Sequence, residues 1–146
     1  MSAGLAETEE AHQSDPCADL VEVYEDHCLR ITALPGSSKR LVVSFSGVGE
    51  EADPFPPPEF RDAASQSGRN TVLFVSDASR SWLNTPGLAE RIAQHVIDIA
   101  AELDVEEVSA VGGSMGATMA LLMTPFMHFD RFVAWSPQAS VLPEFL

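Results

Sequence analysis

Val108-Ser109-Ala110-Val111-Gly112-Gly113-Ser114-Met115-Gly116-Ala117-Thr118-Met119-Ala120-Leu121-Leu122-Met123 passes from an apolar run, through Gly-x-Ser-x-Gly, into helix-forming sequence. The order is strand, sharp turn, helix. This is the pattern of a nucleophile elbow, which holds one serine hydroxyl clear of the backbone. Glycines flank the serine because the turn leaves little room for side chains beside the following helix. That helix points its positive end at the turn, which favours developing negative charge.

Working outward, apolar runs alternate with helical patterns. Leu20-Val21-Glu22-Val23-Tyr24 and the stretch from Cys28 to Leu34 alternate apolar and polar residues, so they read as half-exposed strands in an antiparallel edge hairpin. Leu41-Val42-Val43-Ser44-Phe45 and Thr71-Val72-Leu73-Phe74-Val75 are nearly continuous apolar runs, as expected of strands buried on both faces. Between them, Asp53-Pro54-Phe55-Pro56-Pro57-Pro58 cannot be helix or central strand, because proline lacks a donor and fixes φ. It reads as a stiff surface loop followed by a short helix from Glu59 to Gln66. Thr85-Pro86-Gly87 opens a longer helix, with Thr85 as N-cap. Leu88, Ile92, Val96, Ile99 and Leu103 form its apolar stripe. Met115, Met119, Met123 and Met127 recur every fourth residue and read as a core-facing helix side. Arg131-Phe132-Val133-Ala134-Trp135 reads as a last strand. The expected fold is α/β, in three layers: a mostly parallel sheet with an antiparallel N-terminal edge hairpin and helices on both faces. Sites in such sheets form beyond the carboxyl ends of the strands, here near Gly47, Asp77, Ser114 and Ser136.

The chain has 146 residues and a formal net charge of −14. Residues 1 to 26 hold eight acids and no Lys or Arg, so residues 1–17 read as an acidic, disordered tail and 18–146 as one domain. An acidic surface repels nucleic acid and anionic membrane, and neither is expected as a partner. No basic or apolar leader opens the chain, and no apolar run approaches the ~18 residues of a transmembrane span. A cytoplasmic location is the expectation. Cys17 and Cys28 are too few and too far apart for a zinc site and read as free thiols, so no metal or cofactor is expected.

The elbow and the order of elements around it resemble the N-terminal portion of the α/β-hydrolase fold superfamily, over about residues 20 to 138 and through its sixth strand. The resemblance implies a serine hydrolase of ester, thioester or amide bonds, working through an acyl-enzyme on Ser114. It implies the backbone N–H of Met115 as one oxyanion donor, and that of Gly47 or Val48 as the second. The loop Asp77-Ala78-Ser79-Arg80-Ser81-Trp82-Leu83-Asn84 reads either as a pocket border, with Asp77, Arg80 and Trp82 as candidates, or as an Asp–Arg turn with Trp82 packed on the core.

The chain departs from that pattern after Ser114. The superfamily's acid and histidine follow later strands. Here only His128, Asp130 and Glu144 follow. His128 precedes the last strand, which puts it at the far edge of the sheet. His95 belongs to the long helix, His12 to the tail and His27 to the first turn. Base and acid are therefore absent or atypically placed. Three readings stay open: a hydrolase acting on a small acyl substrate, with its base from an unusual position or a second subunit; a catalytically inactive domain kept for binding or assembly, with a homodimer formed through the exposed sheet edge; and a truncated fragment of a longer protein.

Overall fold

The computed structural model describes residues 19–50 and 52–138. The acidic tail, Cys17, His12 and Glu144 lie outside the described residues.

The most apolar run makes the most buried strand. All seven residues of β4 (Thr71–Asp77) are buried, because it has a strand on each side and helices on both faces. β3 (Arg40–Phe45) lies beside it in parallel, pairing Phe45 with Val75. β5 (Glu107–Gly113) continues on β3, and β6 (Arg131–Trp135) closes the parallel part. On the other side β2 (Leu29–Leu34) pairs antiparallel with β4, and β1 (Val21–Glu25) antiparallel with β2. The order is β1-β2-β4-β3-β5-β6. It is the expected mixed sheet, with an antiparallel hairpin at its N-terminal edge.

Alternation along the strands divides the core. Leu41, Val43 and Phe45 face α2 (Leu88–Glu102) and α3 (Met115–Leu122), in one large cluster with Ile92, Val96, Met119 and Met123. Val42 packs on the opposite face beside Val72, Phe74 and Ala64 of the short α1 (Arg61–Ser65). The methionine series is a core face, as its spacing implies: Met115, Met119 and Met123 are fully buried. The α2 stripe is buried from Leu88 to Val96 and emerges at Leu103, which is 47% exposed.

α2 begins later than the Thr85 cap implies. Its N-cap is Gly87, at φ 77, with no side-chain cap. The Thr85 hydroxyl is taken instead by Ser81 at 3.0 Å and Ser79 at 2.8 Å. The carbonyl of Thr85 accepts the Leu88 amide at 3.1 Å. The preceding turn wins the cap residue, so the helix starts two positions on.

The edge hairpin is tied to α2 by one charged cluster. Asp26 accepts from the amides of Cys28 and Leu29, both at 2.8 Å, from the Tyr24 hydroxyl at 2.7 Å, and from Arg91 of α2. Asp26, His27 and Cys28 place potential ligand atoms within 4.8 Å of one another. The Arg91 guanidinium already bonds Asp26 and reaches the Cys28 sulfur at 3.2 Å, so a cation occupies that cluster. Cys28 is a buried free thiol. His95 packs on Tyr24 with ring centroids 4.3 Å apart, a structural placement. Among the described residues no helix is long and apolar enough to cross a membrane.

Partial burial opposes ionisation of Asp26. The hydrogen bonds from Cys28, Tyr24 and Leu29 outweigh it and hold this carboxyl well below its ordinary value of 3.8. A depressed folded-state value stabilises the fold above the unfolded value and is lost as pH falls through the folded one. Asp26→Asn should therefore lower stability at neutral pH and flatten the loss of stability below about pH 4. Urea denaturation of both proteins across the acid range checks this.

Candidate active site

The parallel register brings the carboxyl ends of β3, β5 and β6 to one rim, where Phe45 pairs with Gly112 and Gly113 with Trp135. Ser114 follows immediately. Its backbone is at φ 54, ψ −119, outside the regions a serine ordinarily occupies. Such a conformation costs about 1–3 kcal/mol and persists only where its surroundings force it. The forcing groups are visible. The Ser114 amide donates to the Trp135 carbonyl at 2.8 Å, extending the β5–β6 pairing into the turn. α3 then starts so close to the sheet that a Cβ on Gly116 would lie 2.0 Å from the Phe45 carbonyl oxygen. One on Gly112 would lie 2.4 Å from the Gly116 carbonyl. Ser114 itself is exposed.

The hydroxyl opens onto a cleft of about 600 Å³ lined by Gly47, Val48, Glu59, Phe60, Trp135 and Ser114, among others. A second cleft, of about 330 Å³, lies over β5 and β6 on the α1 face. It shares Phe60 and Trp135 but not Ser114.

The oxyanion candidates divide. Gly47 is buried, and its amide donates to the Glu59 carboxylate at 2.9 Å. The amides of Val48 and Met115 take no hydrogen-bond partner among the described residues. The loop that carries Val48 is braced by Arg80. Its guanidinium donates to the carbonyls of Val48 at 2.8 Å, Ala78 at 3.1 Å, Glu50 at 3.1 Å and Asp53 at 2.8 Å. Asp77 is buried and accepts from the amides and hydroxyls of Ser79 and Ser81, which shape the turn that presents Arg80. Asp77 and Arg80 thus act on loop geometry, and neither lines the cleft with Ser114. Trp82 is part-buried against the core, and its indole donates to Gln138 at 2.9 Å.

No imidazole or carboxylate takes the Ser114 hydroxyl among the described residues. Its contact is the Gln138 side-chain carbonyl at 3.5 Å. Gln138 is held by Thr118 through bonds of 2.8 and 3.1 Å. An amide oxygen accepts a hydrogen bond but does not take a proton at neutral pH. His128 pairs with Asp130 at 3.3 Å, and Asp130 accepts the Val108 amide at 2.8 Å. Val108 is at the start of β5, so this pair is at the opposite end of the sheet from Ser114. The Val108 amide is the main cause holding the Asp130 carboxyl below its ordinary value.

Glu59, Phe60 and Gln138 are site residues that sequence reasoning does not single out. The proline segment delivers the first two. Three serine hydroxyls at the strand ends bond carbonyls along it and just after it: Ser76 to Pro56 at 2.7 Å, Ser46 to Pro57 at 2.8 Å, and Ser44 to Glu59 at 2.6 Å. All three serines are buried. The strap therefore crosses the rim as a fixed bridge. The Phe60 ring then lies 3.3 Å from where a Cβ on Gly113 would stand, and Glu59 Oε2 lies 3.9 Å from it. Polar residues interrupting otherwise apolar strands, followed by a proline run, are the sequence signal for this arrangement.

No family model and no curated protein sequence matches the chain. Solved structures do. The capsule O-acetyltransferase of Neisseria meningitidis serogroup A matches with a TM-score of 0.62 at 17% identity, over 90% of this chain and 56% of that one. The protein ESTFA, in its iron-lacking apo form, matches at 0.57 and 13%, over 96% and 52%. An esterase of Pyrococcus furiosus matches at 0.54 and 16%, over 82% and 48%. The fold is α/β-hydrolase-like, and the chain spans about half the length of the structures it resembles.

Gly116→Ala should cost at least about 2 kcal/mol, because the added methyl meets backbone that cannot swing aside. Gly68→Ala has a positive φ and open space around the new methyl. It should cost about 1 kcal/mol, from the backbone alone. Urea midpoints of the two variants separate the effects.

Proposed function

We propose that Ser114 is the nucleophile of an acyl-transfer site of hydrolase type, acting on ester, thioester or amide bonds of a small substrate. One observation carries this reading: an exposed serine held in a strained turn at a cleft, with the amides of Val48 and Met115 unpartnered among the described residues. The Ser114 oxygen attacks the carbonyl carbon and its proton passes to a base. The carbonyl oxygen becomes an oxyanion, and the amides of Met115 and Val48 are the donors aimed at it. Collapse expels the leaving group, which takes up a proton, and leaves an acyl-serine. Water releases the acid, or a second alcohol accepts the acyl group. Among solved proteins of this fold, one is named an O-acetyltransferase and another an esterase, and both names describe acyl chemistry.

The base comes from outside the described residues. Gln138 stands on the hydroxyl where a base would act, and Trp82 and Thr118 hold it there. Asp77 and Arg80 support the reading indirectly, by setting the loop that carries Val48. The buried free Cys28 suits the reducing cytoplasm.

A second reading, a non-catalytic binding or assembly domain, is favoured by the same missing base and by the β6 edge. Val133 and Trp135 are 55% and 68% exposed there, and a second copy could pair with the open strand. The two readings separate on labelling with a fluorophosphonate. An elbow without its full triad keeps about 10³–10⁴-fold catalysis over water, so slow, stoichiometric labelling that is lost in Ser114→Ala is expected. A folded sample that stays unlabelled over hours, or equal labelling of the variant, overturns the catalytic reading.

A further inference from the structure

The cleft beside Ser114 contains a charge that works against the chemistry proposed for it. The Glu59 carboxylate is bonded to the Gly47 amide, next to the Val48 amide, and its second oxygen faces Gly113, next to Ser114. That oxygen, Oε2, has no hydrogen-bond or ion-pair partner among the described residues. A carboxylate at this place repels an oxyanion forming on Val48 and Met115.

Nothing in the cleft wall cancels it among the described residues. No Lys or Arg is among the lining residues. The two guanidinium groups nearest along the chain and across the loop are committed elsewhere: Arg61 to Asp19, and Arg80 to four carbonyls. The strap that places Glu59 is anchored by three buried serines, so the carboxylate is carried by a fixed support. Two aromatic residues, Phe60 and Trp135, are among the other residues that line it.

A carboxylate with one free oxygen beside two aromatic rings, in a cation-free cleft, is the chemistry that recognises an organic cation. We infer that the group held beside Ser114 is a quaternary ammonium or protonated amine, seated against Glu59 with its alkyl surface on Phe60 and Trp135. It becomes part of a substrate only on the reading of Ser114 as acyl acceptor; as a binding site it is independent of that reading. The cation neutralises Glu59 as it arrives, so the charge that opposes an oxyanion in the empty cleft is cancelled when the right substrate is bound. Neutral and anionic acyl groups leave Glu59 uncompensated and are disfavoured. The formal net charge of −14 draws cations to the molecule in the same sense.

The test measures binding in Ser114→Ala, so that no turnover intervenes. The probes are acetylcholine and its neutral isostere, in which a tert-butyl group replaces the trimethylammonium, titrated by calorimetry or ligand-observed NMR. The cation should bind about tenfold tighter than the isostere. Glu59→Gln keeps an acceptor for the Gly47 amide and removes only the charge. It should remove most of the cation's advantage while leaving the neutral ester unchanged, the two rings keeping a small remainder. If that variant does not fold, salt serves instead: the preference should shrink between about 0.01 and about 1 M ionic strength. Equal binding of the two esters, a preference undiminished by Glu59→Gln, or a preference indifferent to salt overturns the inference. Because Ser114 is absent from the assay, failure here leaves the nucleophile reading standing, and failure of labelling leaves this one standing.

Discussion

The contact between Gly116 and the Phe45 carbonyl is the constraint on which the site depends. At Gly116 the first turn of α3 lies against the end of β3 with no side chain between them. This closeness forces the chain to reverse sharply after β5, and the reversal puts Ser114 at φ 54 with its hydroxyl in solvent. Burial of Met115, Met119 and Met123 holds the helix down. Hydrophobic packing on one face of the sheet therefore maintains the strain at its rim, and the site inherits its geometry from the core.

A second set of forces works on the other side of the same rim. Proline removes donors from the segment after β3 and leaves carbonyls that need partners. The hydroxyls of Ser44, Ser46 and Ser76 satisfy them from within the sheet. Arg80 does the same for the neighbouring loop through the carbonyls of Val48, Glu50 and Asp53. Each hydrogen bond of this kind is worth about 1 kcal/mol net. Their greater effect is positional, because a carbonyl bonded to a buried side chain has one place to be. The strap and the loop thus define two walls of the cleft, and the elbow defines the third.

Much of this was legible in the residues. Continuous apolar runs identified β3 and β4 as interior strands, alternation identified β1 and β2 as an edge hairpin, and the glycine spacing around Ser114 identified the elbow. Those features are local, and local patterns reach the fold directly. What escaped was long-range or competitive. Thr85 has the right neighbours for an N-cap, yet its hydroxyl belongs to the Ser79–Ser81 turn. Asp77 and Arg80 read equally well as pocket groups or as a turn. The partners of Arg80, carbonyls about thirty residues away, and those of Asp77, the serines of its own turn, decide for loop architecture. Glu59 looked like the start of a helix, and its place against Gly47 depends on a strap whose anchors lie on two other strands. The chain's missing base has the same character: nothing near Ser114 in sequence supplies it, and nothing near it in space does so among the described residues.

The central claim is that a strained Ser114 faces two amides arranged for an oxyanion. The most direct test is a crystal structure of the chain after reaction with a phosphonate that mimics the tetrahedral intermediate. The account predicts a bond from phosphorus to the Ser114 oxygen, Ser114 still at positive φ, and one phosphonyl oxygen about 2.7–3.1 Å from the amides of both Met115 and Val48. A phosphonyl oxygen turned to solvent, or Ser114 relaxed to an ordinary negative φ, would contradict it.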